Sequence, residues 1–417
     1  MVKINVAENK FKLISMIILL GVMSYFVFYK ILWNHIIHPE PFVQLYDDFH
    51  FFYYSFYTIW HDASIDLLYN LDHQMETFRQ LYGGTKGDLG YYMYPPQFAI
   101  FLSWFAAFPY EKAKFLWTAF NSMLFVIGVI LVIQASYKGT GKGIKYLLFS
   151  VAIILFPVHA DYFWGQSNRL IFFLLCLTFY FYQSKHKWLA GIPIVLATSF
   201  KILPGIFLVY FLFKKEWKVF LSAVITTIVT ASITIYVVGW NVVWEYVTKD
   251  LFVVNKINEM HGGAPWDSSF KGVLKTYLPH VPISKLHLVY VVLMLIITFL
   301  IIKKCQKNSA FEFALVTILM LLFSPVVEVH YPVLMVIVIV FLLAHVFSHS
   351  LSEVFENGKK MYCFDLDERS VWHVVLSAIA IAIFLDPPIG MRYFLAMLIL
   401  FYALLDRYKY AYGQRKE

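Results

Sequence analysis

The chain has 417 residues, 60% of them hydrophobic and 14% charged, with a mean hydropathy of +0.67. Soluble domains are about 45–50% apolar and about 25% charged, so a water-soluble globule is excluded. The net charge of +8 sits in short Lys/Arg clusters between apolar runs rather than along one face, which points to membrane topology and away from a nucleic-acid partner.

From the N-terminus, the apolar run Phe11–Trp33 is too long for a signal-peptide core and is followed by no small-residue cleavage pattern, so it reads as a retained first transmembrane helix. Further apolar segments fall near 111–136, 145–160, 168–184, 187–201, 204–214, 217–238, 286–303, 311–324, 332–348, 371–386 and 391–407. With the first run they predict about twelve crossings, in a range of roughly 10–13. The pair 187–201 and 204–214 is broken by Pro204, which suits a kinked or re-entrant element. The expected fold class is an all-α polytopic membrane protein, a single transmembrane domain over 1–417.

The basic clusters test this map. Lys3/Lys10/Lys12, Lys138/Lys142/Lys145, Lys185/Lys187, Lys214/Lys215/Lys218, Lys303/Lys304/Lys307, Lys359/Lys360 and Arg407/Lys409/Arg415/Lys416 all land on one side. By the positive-inside rule that side is cytoplasmic, with both termini on it. The expectation is a multi-pass protein of a prokaryotic plasma membrane. Its first extracytoplasmic loop is 34–110, a second large one is 239–285, and short outer turns lie at 161–167 and 325–331. Cys176, Cys305 and Cys363 are scattered without the spacing of a disulfide framework or a zinc site.

Nearly all the unusual polar residues fall on the outer side. Asp47-Asp48 opens the first loop, directly after the first helix, and two readings fit it: solvated or helix-capping carboxylates, or a general base under an aromatic cover. In the stretch that follows, Phe52, Phe56, Ile59 and Trp60 keep helical spacing, which predicts an amphipathic helix along the membrane surface. Phe98–Phe108 is too short to span and reads as an interfacial or re-entrant piece. Tyr91-Tyr92-Met93-Tyr94-Pro95-Pro96 is a rigid corner that holds Tyr94 extended, where its ring is also placed to stack on a sugar or prenyl group.

The turn Phe163-Trp164-Gly165-Gln166-Ser167-Asn168 combines amides and an aromatic, which suits hydroxyl binding; Ser167 or Asn168 as a helix N-cap is the structural alternative. Lys201 is an ionisable residue in an apolar neighbourhood beside a broken helix, placed either as a snorkelling anchor or to meet an anionic phosphate. Glu328 and His330 stand two residues apart between membrane segments, a spacing that puts both on one face of an extended chain. Trp266 to Gly272 forms a second polar stretch in the 239–285 loop.

In order along the chain, these elements resemble glycosyltransferase family 87, a group of membrane mannosyltransferases in the GT-C superfamily. The likeness is carried by Asp48-Phe49 followed by Tyr53-Tyr54, Leu68-Tyr69, Tyr94-Pro95-Pro96, Gly165-Gln166-x-Asn168, Lys201-x-x-Pro204, Ser269-x-x-Gly272, and Ser324-Pro325 followed by His330. Val327 and Glu328 stand where the family often has Ser-Trp, and the segment before Tyr94 is long; these departures bear on the sugar and acceptor rather than the reaction type.

The resemblance implies a GT-C-type helix bundle and an inverting transfer of a hexose, mannose in this family, from a polyprenyl-phosphate donor to a lipid or glycan acceptor at the outer face. Asp48 is then the catalytic carboxylate, with Asp47 as the alternate. Lys201 and His330 are assigned to the donor phosphate, and Tyr94, Gln166, Asn168 and Glu328 to substrate. No metal or other cofactor is expected, since the leaving group is already a phosphate ester. A lipid-linked sugar flippase or transporter is the alternative, but it favours polar residues near the midplane of several helices, whereas here they gather at one interface.

Overall fold

The computed structural model describes residues 2–25, 48–82, 92–251, 267–304, 309–356, 359–385 and 391–413. Asp47, Tyr91, Trp266 and Cys305, together with the end of the expected first span, lie outside the described residues. The chain divides into two compact units: 1–39, 127–159 and 264–417 form one, and 40–126 with 160–263 form the other.

The described residues are helical, with one small antiparallel sheet that the hydropathy pattern did not suggest. Its strand order places Lys359–Leu366 between Val2–Ala7 and Leu351–Glu356. The register pairs Val2 with Leu366 and Ala7 with Met361. Hydrogen-bonded strands lie on the same side of a membrane, and the twelve-span arrangement requires this of the Lys3 and Lys359/Lys360 clusters.

Among the described residues, five helices are long and apolar enough to cross a membrane: Tyr110–Ser136, Trp217–Asp250, Ile283–Ile301, Tyr331–Ser350 and Glu368–Leu385. A sixth crossing results if the bent pair Lys142–Ile154 and Phe156–Phe163 acts as one span. Several other expected crossings are shorter. The 168–184 segment is the 16-residue helix Asn168–Gln183, and 187–201 and 204–214 each open with a 3₁₀ turn before Gly191–Phe200 and Ile206–Phe213. The helix that begins at Trp217 runs past the expected limit at Val238. Gly239 bends it at φ 80° and ψ 157°, a conformation that side chains with a Cβ rarely adopt.

In the first unit the Tyr331–Ser350 helix is the core, with 78% of its apolar stretch buried, whereas Ile283–Ile301 is 11% buried and exposes most of its apolar surface. Arg407, a member of the last basic cluster, is buried: its Nε donates to His345 Nδ1 at 3.0 Å and its Nη1 to Ser370 Oγ at 3.1 Å.

The second unit holds the aromatic stretch that follows Asp48. The helix Phe49–Trp60 forms where the spacing predicts it, but it is not a surface helix. Phe49, His50, Phe52, Tyr53, Tyr54, Ser55, Phe56 and Thr58 are all buried, and only the C-terminal Trp60 is markedly exposed. The segment that covers it is Pro96–Leu102 with the 3₁₀ turn Ser103–Ala107, too short to span and packed inside the unit. Trp117 is the centre, with the rings of Phe49, Phe52, Phe56, Phe98 and Phe105 at 5.3–6.1 Å, largely in tilted and edge-to-face arrangements. Each such pair contributes about 0.5–1.5 kcal/mol beyond its area burial.

Candidate functional site

Asp48 precedes the first turn of the Phe49–Trp60 helix, and its side chain makes no capping hydrogen bond. Its backbone N–H donates to Trp164 O at 3.0 Å, which ties the helix start to the 163–168 turn. That turn is shaped by Gly165 at φ 64°, a left-handed conformation suited to glycine. Trp117 Nε1 locks it from below by donating to Gly165 O at 2.7 Å. Gln166 is thereby aimed at the carboxylate, and its Nε2 donates to Asp48 Oδ2 in a short hydrogen bond. The Asp48 carboxylate thus meets a side-chain amide and does not cap its own helix.

The other half of the Gln166 amide accepts from Tyr94 Oη at 3.2 Å, so its two ends connect Asp48 to Tyr94. Tyr94 is set by the corner foreseen at the prolines. Pro95, at φ −54° and ψ 148°, precedes the helix and Pro96 begins it. Tyr69 Oη donates to Tyr94 O at 2.8 Å, and Tyr92 Oη to Pro95 O at 2.9 Å. Burial pushes the Tyr92 phenol well above its usual value, so it remains a hydrogen-bond donor. Gln74 completes the brace, accepting from Tyr92 N at 2.7 Å while its Nε2 donates to Leu68 O at 3.2 Å.

Lys201 lies at the end of the Gly191–Phe200 helix in extended geometry, with φ −152° and ψ 125°. Its Nζ donates to Asn168 Oδ1 at 2.7 Å and stands 5.9 Å from the centroid of the Tyr94 ring. Neither Ser167 nor Asn168 caps the Asn168–Gln183 helix with its own side chain. Ser167 Oγ turns to Tyr94 Oη at 3.4 Å, and the first amide of the helix, Asn168 N, donates to Asp161 Oδ1 at 3.1 Å.

Asp161 and Arg169 are the residues that sequence reasoning passed over. Asp161 Oδ1 also accepts from Asn168 Nδ2 at 2.9 Å, and its Oδ2 from Arg169 Nε at 2.9 Å, with the two side chains 0% and 3% exposed. Arg169 Nη1 donates to Ser122 Oγ at 2.8 Å. The available signal was an acid and a base eight residues apart across a helix break inside apolar sequence, where an unpaired charge is costly.

Within the second unit, then, five of the expected site residues come together in two layers. Asp48, Tyr94 and Lys201 are half-buried at the front, while Gln166, Ser167, Asn168, Asp161 and Arg169 are buried behind them. Such an arrangement presents a carboxylate, a phenol and an ammonium to a polar substrate from a rigid backing, with all three held by side chains from different segments.

Glu328 and His330 belong to the first unit. They meet through Glu328 Oε2 and His330 Nε2 at 3.3 Å, with the imidazole 3% and the carboxylate 42% exposed. The backbone there is a turn, Tyr331 N donating to Glu328 O at 3.0 Å, rather than the extended chain that the spacing suggested. Asp267 holds this turn: its Oδ1 accepts from Val327 N and Ser269 N, both at 3.0 Å. Ser269 Oγ donates to Pro325 O at 3.0 Å and accepts from Gly272 N at 2.9 Å. Among the described residues no group of three or more His, Cys, Asp or Glu side chains is arranged to hold a metal ion.

Residues 92–325, just over half of the chain, match the family described as glycosyltransferase family 87. Tyr94, Gln166, Asn168 and Lys201 fall inside the matched stretch, Asp48 before it, and Glu328 and His330 just after it. The chain is also 24% identical over 198 residues to a polyprenol-phosphate-mannose-dependent alpha-(1-2)-phosphatidylinositol mannoside mannosyltransferase of Mycobacterium tuberculosis, an overlap of 43% of this chain and 46% of the relative. It thus spans less than half the length of that relative. No solved structure matches the chain. With its apolar spanning helices and a family match over most of the aromatic and polar motifs, this membrane protein belongs to glycosyltransferase family 87.

Proposed function

We propose that the protein is an inverting hexosyltransferase that moves mannose from a polyprenyl-phosphate donor to a lipid or glycan acceptor. In this reading the chain makes about twelve crossings as one GT-C-type domain. The Asp48 face is extracytoplasmic, since the basic clusters occupy the opposite side. The observation that carries the reading is the Asp48 carboxylate, which does not cap its own helix and is held by Gln166 beside Tyr94 and Lys201.

Asp48 takes the proton from the acceptor hydroxyl as that oxygen attacks the anomeric carbon from the face opposite the phosphate. The bond from the anomeric carbon to the phosphate oxygen breaks, and its electron pair leaves on the polyprenyl phosphate. The Gln166 amide fixes the carboxylate in line, so its orientation is settled before substrate arrives. Lys201 meets the negative charge that grows on the phosphate. Tyr94 offers an aromatic face and a hydroxyl to the sugar. Because the leaving group is a phosphate ester, this sequence of steps calls for no metal.

Purified protein in lipid nanodiscs, given a synthetic polyprenyl-phosphate mannose and a lipid extract as acceptor, should form a mannosylated lipid with inverted anomeric configuration, read by NMR of the product. Movement of the intact lipid-linked sugar across a proteoliposome membrane, with no glycosidic product, would instead establish the flippase alternative.

A further inference from the structure

The helix that begins at Trp217 is longer than a bilayer is thick. Its 34 residues reach about 51 Å at 1.5 Å per residue, whereas residues 217–238 alone cover about 33 Å, enough for a hydrocarbon core of about 30 Å. Lys214, Lys215 and Lys218 stand at its start. The 240–250 segment therefore falls beyond the hydrocarbon, on the membrane face opposite that basic cluster. At Gly239 the backbone leaves helical geometry, and helix resumes over 240–245 before the π-helical turn Tyr246–Asp250.

This segment has two unlike faces. Trp240 and Trp244, one turn apart, are each 56% exposed and their rings stack at 5.9 Å; Val247 follows on the same side, also exposed. Glu245 and Lys249 pair beside the indoles at 2.9 Å. Exposed indoles with a polar fringe suit headgroup depth, where the ring meets the apolar boundary and its N–H meets water. On the other face Val242 and Tyr246 are buried. That face reaches the site: the Tyr246 ring packs on Tyr69 at 5.2 Å, and Tyr69 Oη donates to Tyr94 O at 2.8 Å.

We propose that 240–250 is an interfacial anchor. It lies along the headgroup region of one leaflet with Trp240 and Trp244 in lipid, and through Tyr246 and Tyr69 it fixes the Tyr94 corner at the depth where the phosphate of a lipid-linked substrate sits. A phosphate tied to a membrane-embedded chain arrives at one depth only, so the level of the corner decides how well it is met. The link to substrate rests on the lipid-linked donor proposed above; the docking itself does not.

Depth is read from nitroxide labels on Ile228→Cys, Trp240→Cys, Trp244→Cys and Val247→Cys, by their collisions with oxygen and with a water-soluble nickel chelate. The full chain is used in nanodiscs with Cys305→Ser and Cys363→Ser, and Cys176 is buried from the reagent. The label at 228 should be deep, and those at 240, 244 and 247 shallow and level to within about 3 Å; an upright helix would climb about 10 Å from 240 to 247 and overturn the anchor.

Transfer in nanodiscs separates anchoring from general damage. Trp240→Ala combined with Trp244→Ala should raise KM roughly tenfold for a long-chain polyprenyl-phosphate mannose, leave it within about twofold for a short-chain, water-soluble one, and change kcat by less than about twofold with either. Equal changes for both donors, or none for either, would overturn the link to the Tyr94 corner. A wild-type chain that transfers no sugar would remove the function proposed above, and the depth profile would still decide the anchor.

Discussion

Two polar clusters, one in each unit, use similar side chains for different ends. Around Asp48 the hydrogen bonds run from side chain to side chain: Gln166 to Asp48, Tyr94 to Gln166, Lys201 to Asn168, Asn168 and Arg169 to Asp161. Around Glu328 they run largely from side chain to backbone: Asp267 takes two amides, Ser269 bridges Pro325 and Gly272, and Ser324 Oγ donates to Val326 O. The first kind of network sets the direction of functional groups, because moving one side chain releases another. The second sets the path of a loop. Acid and amide residues near a membrane surface are thus not interchangeable markers of a site, and what they bond to separates the two roles.

That contrast is breakable. Gln166→Ala, which removes the amide that orients the Asp48 carboxylate, should lower kcat by about 10–10²-fold, with donor affinity little changed, measured by single-turnover transfer. Gly272→Ala should do the reverse. A Cβ there would stand 2.5 Å from both Asp267 Cγ and Asp267 O, so the loop must shift. The expected cost is about 1–3 kcal/mol of stability, read as a lower melting temperature in detergent, with kcat within about threefold of wild type. A Gln166→Ala protein with normal kcat, or a Gly272→Ala protein that is stable but inactive, would erase the distinction.

Much of the first network was legible in the sequence. The proline corner announces a fixed Tyr94, an amide-rich turn announces Gln166 and Asn168, and a lysine in apolar surroundings stands out on cost alone. Asp161 and Arg169 were not, because their meeting depends on a break between helices that brings residues eight apart face to face, and no period of 3.6 or 2 encodes it. The helix from Phe49 to Trp60 shows the same limit. Periodicity located it and named an apolar stripe, but the burial of His50, Tyr53 and Tyr54 as well comes from long-range cover by the 96–107 segment and Trp117. The sheet escaped notice since Val2–Ala7 lies far along the chain from the other two strands, and Lys359–Leu366 opens with two lysines, which reads locally as loop.

The central claim is that Asp48 is the base. Its most direct test is the single-turnover transfer rate of Asp48→Asn beside Asp47→Asn, at saturating polyprenyl-phosphate mannose and with donor binding measured in parallel. The account predicts a fall of about 10²–10⁴-fold for Asp48→Asn with donor still bound, and a rate within about threefold of wild type for Asp47→Asn. An active Asp48→Asn beside an inactive Asp47→Asn would contradict it, and wild-type rates in both variants and in the double substitution would refute a carboxylate mechanism altogether.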